Sequence, residues 1–139
     1  MVIRFLLDTN TVSERARPHP NPAVVARLAA AAGEVAIAAL SWHELLFGLE
    51  LLGQSKRRAT LEAYLHAVVH PAVPVLPFDA AAAGWHARER AHLVRRGLTP
   101  SFGDGQIAAT AAVHKLVLVT RNTKDFAAYR GLQVEDWFA

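Results

Sequence analysis

Cysteine is absent from the chain, so no disulfide braces the fold and any metal must be held by oxygen or imidazole ligands. Long apolar runs are absent too. None approaches the roughly 20 residues of a membrane span, and Met1–Leu7 carries Arg4 in a stretch too short for a signal peptide. Membrane attachment is therefore not expected, and the chain reads as soluble and cytoplasmic. Charge is scarce as well: at 19% charged and 53% hydrophobic residues, the composition is that of a folded chain and not of a disordered one. No internal repeat and no low-complexity linker interrupts it. Its 139 residues suit one compact domain, 1–139, and are too few for two ordinary ones.

What is present is an alternation of strands and helices. Val2–Leu7 is a β-prone apolar run that stops at Asp8-Thr9-Asn10, as a buried parallel strand ending in a polar loop does. Asn21 and Pro22 open a helix that closes at Gly33, and Val35–Leu40 reads as a second strand. Ser41 begins a helix that stops at Gly53, and another helix covers about Lys56–Val69. Val73–Phe78, with Pro74 and Pro77, reads as a short edge strand, after which Asp79 caps a helix ending at Gly97. A helix starting near Asp104 and ending around His114, a strand Val117–Thr120, a polar turn Arg121–Asp125 into a short helix, and a last strand at Leu132–Val134 complete the pattern. The expected fold is α/β, a central parallel sheet of four to five strands with helices on both faces. In such sheets ligands bind at the carboxyl edge of the strands.

The acids fall where that edge lies. Asp8 and Asp125 follow strands, whereas Glu44, Asp79 and Asp104 sit in or just before the first turn of a helix. Carboxylates gathered there repel one another without a cation, and Mg²⁺ or Mn²⁺ is the hard ion that all-oxygen sites favour. Such an ion activates water and steadies charge on a phosphate. Each acid also has a structural reading. Ser41-Trp42-His43-Glu44 fits a capping box, Asp104 and Asp125 could be N-caps, and Asp79 reads as one. Glu50, Glu62 and Glu89 inside helices, Glu14 and Glu34 in turns, and Glu135 and Asp136 near the terminus read as solubilising.

Taken together, Leu7-Asp8-Thr9-Asn10, Ser41-Trp42-His43-Glu44-Leu45, Gly103-Asp104-Gly105-Gln106-Ile107-Ala108-Ala109 and Val119-Thr120-Arg121-Asn122-Thr123-Lys124-Asp125-Phe126 resemble the ordered motifs of PIN-domain proteins of the VapC toxin type. Val75–Asp79 and Val134–Trp137 extend the similarity over nearly the whole chain. The resemblance implies a metal-dependent ribonuclease, the toxin of a VapBC toxin–antitoxin pair, cutting structured RNA such as tRNA. It carries the metal-binding acids onto Asp8, Glu44 and Asp104, Glu44 serving as ligand or as the base that orients water. The fourth position falls in the Thr120–Asp125 turn: some relatives place an acid where Asn122 stands, and others place it at Asp125. Asp125 then serves the metal through water or from behind the direct ligands, with Asn122 and Asn10 as hydrogen-bond partners, and Thr9 and Thr120 orient the cluster. A homodimer, a VapB-type antitoxin lying across the groove, and operator DNA bound with that antitoxin are the implied partners.

The charge of +3 and pI near 9.8 are compatible with a polyanion, and Arg88, Arg95, Arg96 and Lys124 are the residues assigned to RNA phosphates. The alternatives are weaker. A haloacid-dehalogenase-like phosphatase needs a second Asp where Asn10 stands, a binding module has no need of a self-repelling cluster, and His66 with His70 lacks the His-Glu-x-x-His pattern of a zinc site. No Gly-x-Ser-x-Gly elbow supports serine catalysis.

Overall fold

The structure is a computed structural model that describes residues 2–139; the first residue of the segment read above as too short for a signal peptide lies outside it. Its centre is an all-parallel sheet of five strands in the order β3-β2-β1-β4-β5. The strands are β1 (Phe5–Leu7), β2 (Val35–Ala38), β3 (Val75–Leu76), β4 (Val117–Val119) and β5 (Val134–Glu135). Phe5, Leu6 and Leu7 pair with Val35, Ala36 and Ile37 on one side and with Val117, Leu118 and Val119 on the other. The short proline-flanked strand β3 lies at one edge, as its two prolines require.

Alternation along the strands supplies two cores, because successive side chains leave opposite faces of a sheet. Phe5, Leu7, Val35, Ile37 and Val119 pack with Val24, Leu45, Leu49, Leu65, Val69 and Trp137 on one face. Leu6, Ala36, Ala38 and Leu118 pack with Leu93, Ile107, Ala108, Ala111, Phe126 and Tyr129 on the other. The first face is covered by α2 (Pro22–Ala30), α3 (Ala39–Leu51) and the region of α4 (Lys56–Ala63), with α1 (Thr9–Val12) beside it; α6 (Ala80–Arg95), α7 (Phe102–Val113) and α8 (Thr123–Phe126) cover the second. Among the described residues no helix is long and apolar enough to cross a membrane.

Boundaries differ from the sequence reading in informative ways. The strands are shorter than their apolar runs, since β2 passes into α3 at Ala39 without a polar linker. The helix read as Lys56–Val69 is α-helical only over α4 (Lys56–Ala63); it widens to a π turn at Tyr64–Val69 and ends in α5 (His70–Ala72). Two features go with the widening. The Tyr64 hydroxyl donates to the Val12 carbonyl at 2.7 Å, and Pro71 has no N–H to continue an α ladder.

Candidate active site

Asp8 stands where the central strand leaves the sheet. Its amide still donates to the Val119 carbonyl at 2.9 Å, which holds the residue in register beside β4. The residue is 7% exposed, and both carboxylate oxygens are engaged: Oδ1 accepts from the Thr9 amide at 2.9 Å and Oδ2 from the Thr120 hydroxyl at 2.8 Å. Thr120 is itself buried, and its Oγ1 accepts from the Asn122 amide at 3.1 Å. Thr9 and Thr120 thus hold Asp8 directly, and Asn122 acts on it only through Thr120. Asn10 is placed differently, its Oδ1 accepting from the Thr11 hydroxyl at 3.3 Å. Neither asparagine side chain hydrogen-bonds Asp125; the Asn122 contact is main chain, with the Asp125 amide donating to the Asn122 carbonyl at 3.1 Å.

Glu44 lies exposed on α3, in the second turn and not the first. The capping box read from Ser41-x-x-Glu44 does not form. Residue Ala38 occupies the N-cap with no side-chain bond, and Ser41 falls inside the helix, fully buried, its hydroxyl without a partner among the described residues. The reason lies in the direct passage from β2 to α3, which turns the first helical turn onto the sheet. Asp104 is likewise not an N-cap: Ser101 takes that position, its hydroxyl accepting from the Asp104 amide at 3.1 Å. The Asp104 carboxylate then lies in the first turn, at the positive end of the α7 dipole. Asp125 is exposed within α8 and does not cap it. Asp79 does cap α6, accepting from the Ala82 amide at 3.0 Å.

These acids come from separate elements and feel one another. Partial desolvation raises the Glu44 carboxyl, and the charges of Asp8 and Asp104 raise it further against the pull of His43. Burial raises Asp104, opposed by Ser101, and the charges of Asp125 and Asp8 add to the rise. No Lys, Arg or His lies within ion-pair distance of Asp8, Glu44, Asp104 or Asp125 among the described residues. As they stand, no three acidic or histidine side chains among the described residues are close enough together to hold a metal ion. The donor chemistry nevertheless fits a hard divalent cation: the set is all oxygen, its charges raise Glu44 and Asp104, and no cationic side chain is within ion-pair distance among the described residues.

Three acids read as solubilising have structural work instead. Glu14 is 4% exposed and accepts from the Asn21 amide at 2.7 Å. Glu89 is 5% exposed and grips Arg130 through its amide at 2.8 Å and its guanidinium at 3.0 Å. Glu135 accepts from Arg27 and from the Trp137 indole, each at 3.0 Å. Arg88, Arg95, Arg96 and Lys124 are exposed and form no ion pair with an acid among the described residues. Sequence reasoning passed over two groups beside the acids. Tyr129 is 4% exposed with an unpartnered hydroxyl, and burial, with the Asp104 and Glu89 charges, pushes its pKa to about 12. His86 is buried against Gly105, and the paired glycines around Asp104 were the available signal that something packs closely there.

Known proteins share the family and the fold. The family profile described as PIN domain matches residues 5–132. The chain is 40% identical to Toxin FitB of Neisseria gonorrhoeae over 127 residues, 89% of this chain and 91% of that protein. It is 32% identical to the tRNA(fMet)-specific endonuclease VapC of Shigella flexneri over 137 residues, covering 98% of this chain and 99% of that one. Among solved structures it is similar to FitAB bound to an IR36 DNA fragment, with a TM-score of 0.88 and 34% identity over 97% of this chain and 96% of the other.

Proposed function

We infer from its fold and its acids that this chain, which belongs to the PIN-domain family, is a metal-dependent endoribonuclease and the toxin of a type II toxin–antitoxin pair. What supports the reading is that acids from four separate elements act on one another: the charges of Asp8 and Asp104 raise the Glu44 carboxyl and those of Asp125 and Asp8 raise Asp104, and among the described residues no Lys, Arg or His stands within ion-pair distance of them. Asp8, Asp104, Glu44 and Asp125 would hold Mg²⁺ or Mn²⁺, which when bound lowers the pKa of water and offsets charge on the scissile phosphate.

The protein's own part is positioning. Thr9 and Thr120 fix both oxygens of Asp8, so that this carboxylate presents its remaining lone pairs outward without a rotamer search. The α7 terminus steadies Asp104 as an anion. Glu44 is exposed, and its raised pKa suits a group that orients a water and accepts its proton. Asp125, exposed on α8, completes the set from the side of Lys124. Arg88, Arg95, Arg96 and Lys124, exposed and unpaired among the described residues, are available to RNA phosphates. The similarity to a tRNA(fMet)-specific endonuclease supports structured RNA as the substrate class. The similarity to the DNA-bound FitAB structure supports a cognate antitoxin as partner and operator DNA as the target of the complex. We place the protein in the cytoplasm as a single-domain homodimer.

The test is cleavage of a tRNA pool by the purified protein with Mg²⁺ or Mn²⁺ and with EDTA. Cleavage that depends on metal and disappears in Asp104→Asn is expected. Equal cleavage with and without chelator overturns the metal mechanism, and an active Asp104→Asn overturns the assigned site.

A further inference from the structure

Asp104 is bracketed by Gly103 and Gly105, and both glycines are places where a neighbouring helix comes close. A Cβ at Gly103 would stand 3.2 Å from Leu40 Cδ2, at the start of the helix that carries Glu44. A Cβ at Gly105 would overlap His86 Nε2 and lie 2.6 Å from its Cδ2 and 2.7 Å from its Cε1. Neither glycine has positive φ. Their use is therefore room and not backbone freedom. The Leu40 contact can yield by a few tenths of an ångström, whereas the imidazole cannot easily move: it is 4% exposed, met edge-on by Phe78 at 6.0 Å and by the tilted ring of Phe102 at 4.9 Å. Phe102 is in turn covered by the Arg90 guanidinium at 5.3 Å.

We propose that His86 is a positioning residue for Asp104: its ring, seated on Gly105, fixes how closely the first turn of α7 approaches α6 and hence where the Asp104 carboxylate stands. Asp104 and Gly105 are consecutive in one helix, so a shift that relieves a contact at Gly105 carries Asp104 with it. Leu40 against Gly103 sets the opposite side of the same turn, which fixes the turn between the helix of Glu44 and the helix of His86. Burial, with Arg90 adding to it, holds the His86 imidazole below its usual pKa, so the ring is neutral near pH 7 and can lie against a backbone without a counter-ion. The consequence for metal binding rests on the reading of Asp104 as a ligand.

The experiment is a double-mutant cycle of Gly105→Ala and His86→Ala, read by Mn²⁺ calorimetry, by the ¹³C carboxyl resonance of Asp104 in metal-free protein, and by circular dichroism. Gly105→Ala should stay helical, shift the Asp104 resonance and weaken Mn²⁺ binding by about 10–100-fold, the usual consequence of disturbing a ligand's support. Adding His86→Ala should return most of that loss, a strong non-additivity. His86→Ala alone should shift the resonance the same measurement follows, and it serves if Gly105→Ala does not fold. An unchanged Asp104 resonance in both single variants, or no recovery in the double variant, overturns the proposal. A parent protein that binds no Mn²⁺ would count against the metal reading, while the metal-free resonance would still decide the role of His86.

Discussion

Ser41 shows how one tetrapeptide can satisfy two structural rules of opposite consequence. A capping serine stabilises its helix by about 1 kcal/mol, yet the Ser41 hydroxyl is buried without a partner, and such a group costs about 1–3 kcal/mol of desolvation. Ser41→Ala should therefore leave stability unchanged or raise it by up to about 2 kcal/mol in urea denaturation. A loss near 1 kcal/mol would restore the cap. Glu44→Gln is the companion experiment. Glu44 is exposed and has no cap to maintain, and its charge is repelled by Asp8 and Asp104, so the metal-free variant should fold with an unchanged or slightly raised midpoint and lose cleavage. Unchanged Mn²⁺ binding with lost turnover would make Glu44 the base, and weakened binding would make it a ligand. At this scale Asp8 was legible only through the ordered motifs taken together, because an acid ending an apolar run serves equally well as a helix cap, and Asp8 does cap α1 through the Thr9 amide. The place of Ser41 was not, because a Ser-x-x-Glu spacing is the same in a cap and in a buried turn.

At the scale of elements, the sheet could be read from its short continuous apolar runs, which suit parallel strands covered on both faces. Which face each residue serves came from the structure, where Phe5 and Leu7 join one core and Leu6 the other. What could not be read were ties between distant segments. Arg88-Glu89-Arg90 looks like a solvated helix face, but Glu89 is turned inward and holds Arg130, 41 residues on, pinning α6 to the turn after α8. Burial alone would raise the Glu89 carboxyl; the hydrogen bonds and charge of Arg130 more than reverse it, and the net shift is downward from 4.5. A carboxyl lowered in the folded state contributes stability above its unfolded pKa and loses it as pH falls through the folded pKa. Glu89→Gln should thus cost about 2 kcal/mol near pH 7, the worth of a hydrogen-bonded charge, and the difference from the parent should close below pH 4.5. A gap in urea midpoint that persists into acid would show that packing, and not the ion pair, supplies the tie.

For the whole molecule, the same convergence that makes the site also strains the fold. Burial and neighbouring carboxylates raise Asp104 above 3.8 and Glu44 above 4.5. Groups raised in the folded state contribute most below their unfolded pKa values and lose that contribution as pH rises through the folded ones. Metal-free protein should therefore lose thermal stability between about pH 4.5 and neutrality, relative to Asp104→Asn, which lacks one of the repelling charges. A cation bound only by the folded state reverses the balance: at a hundredfold excess over its Kd it adds about 2.7 kcal/mol, or roughly 10 °C in a domain of this size. Differential scanning fluorimetry in EDTA and in Mn²⁺ would show both effects in one series. The parent should gain Tm with Mn²⁺ at pH 7 and return to its lower value on chelation. Asp104→Asn should start higher in EDTA and gain little from Mn²⁺. A parent Tm indifferent to Mn²⁺ would mean that the acids do not gather a cation, and an Asp104→Asn less stable than the parent in EDTA would mean that they do not repel.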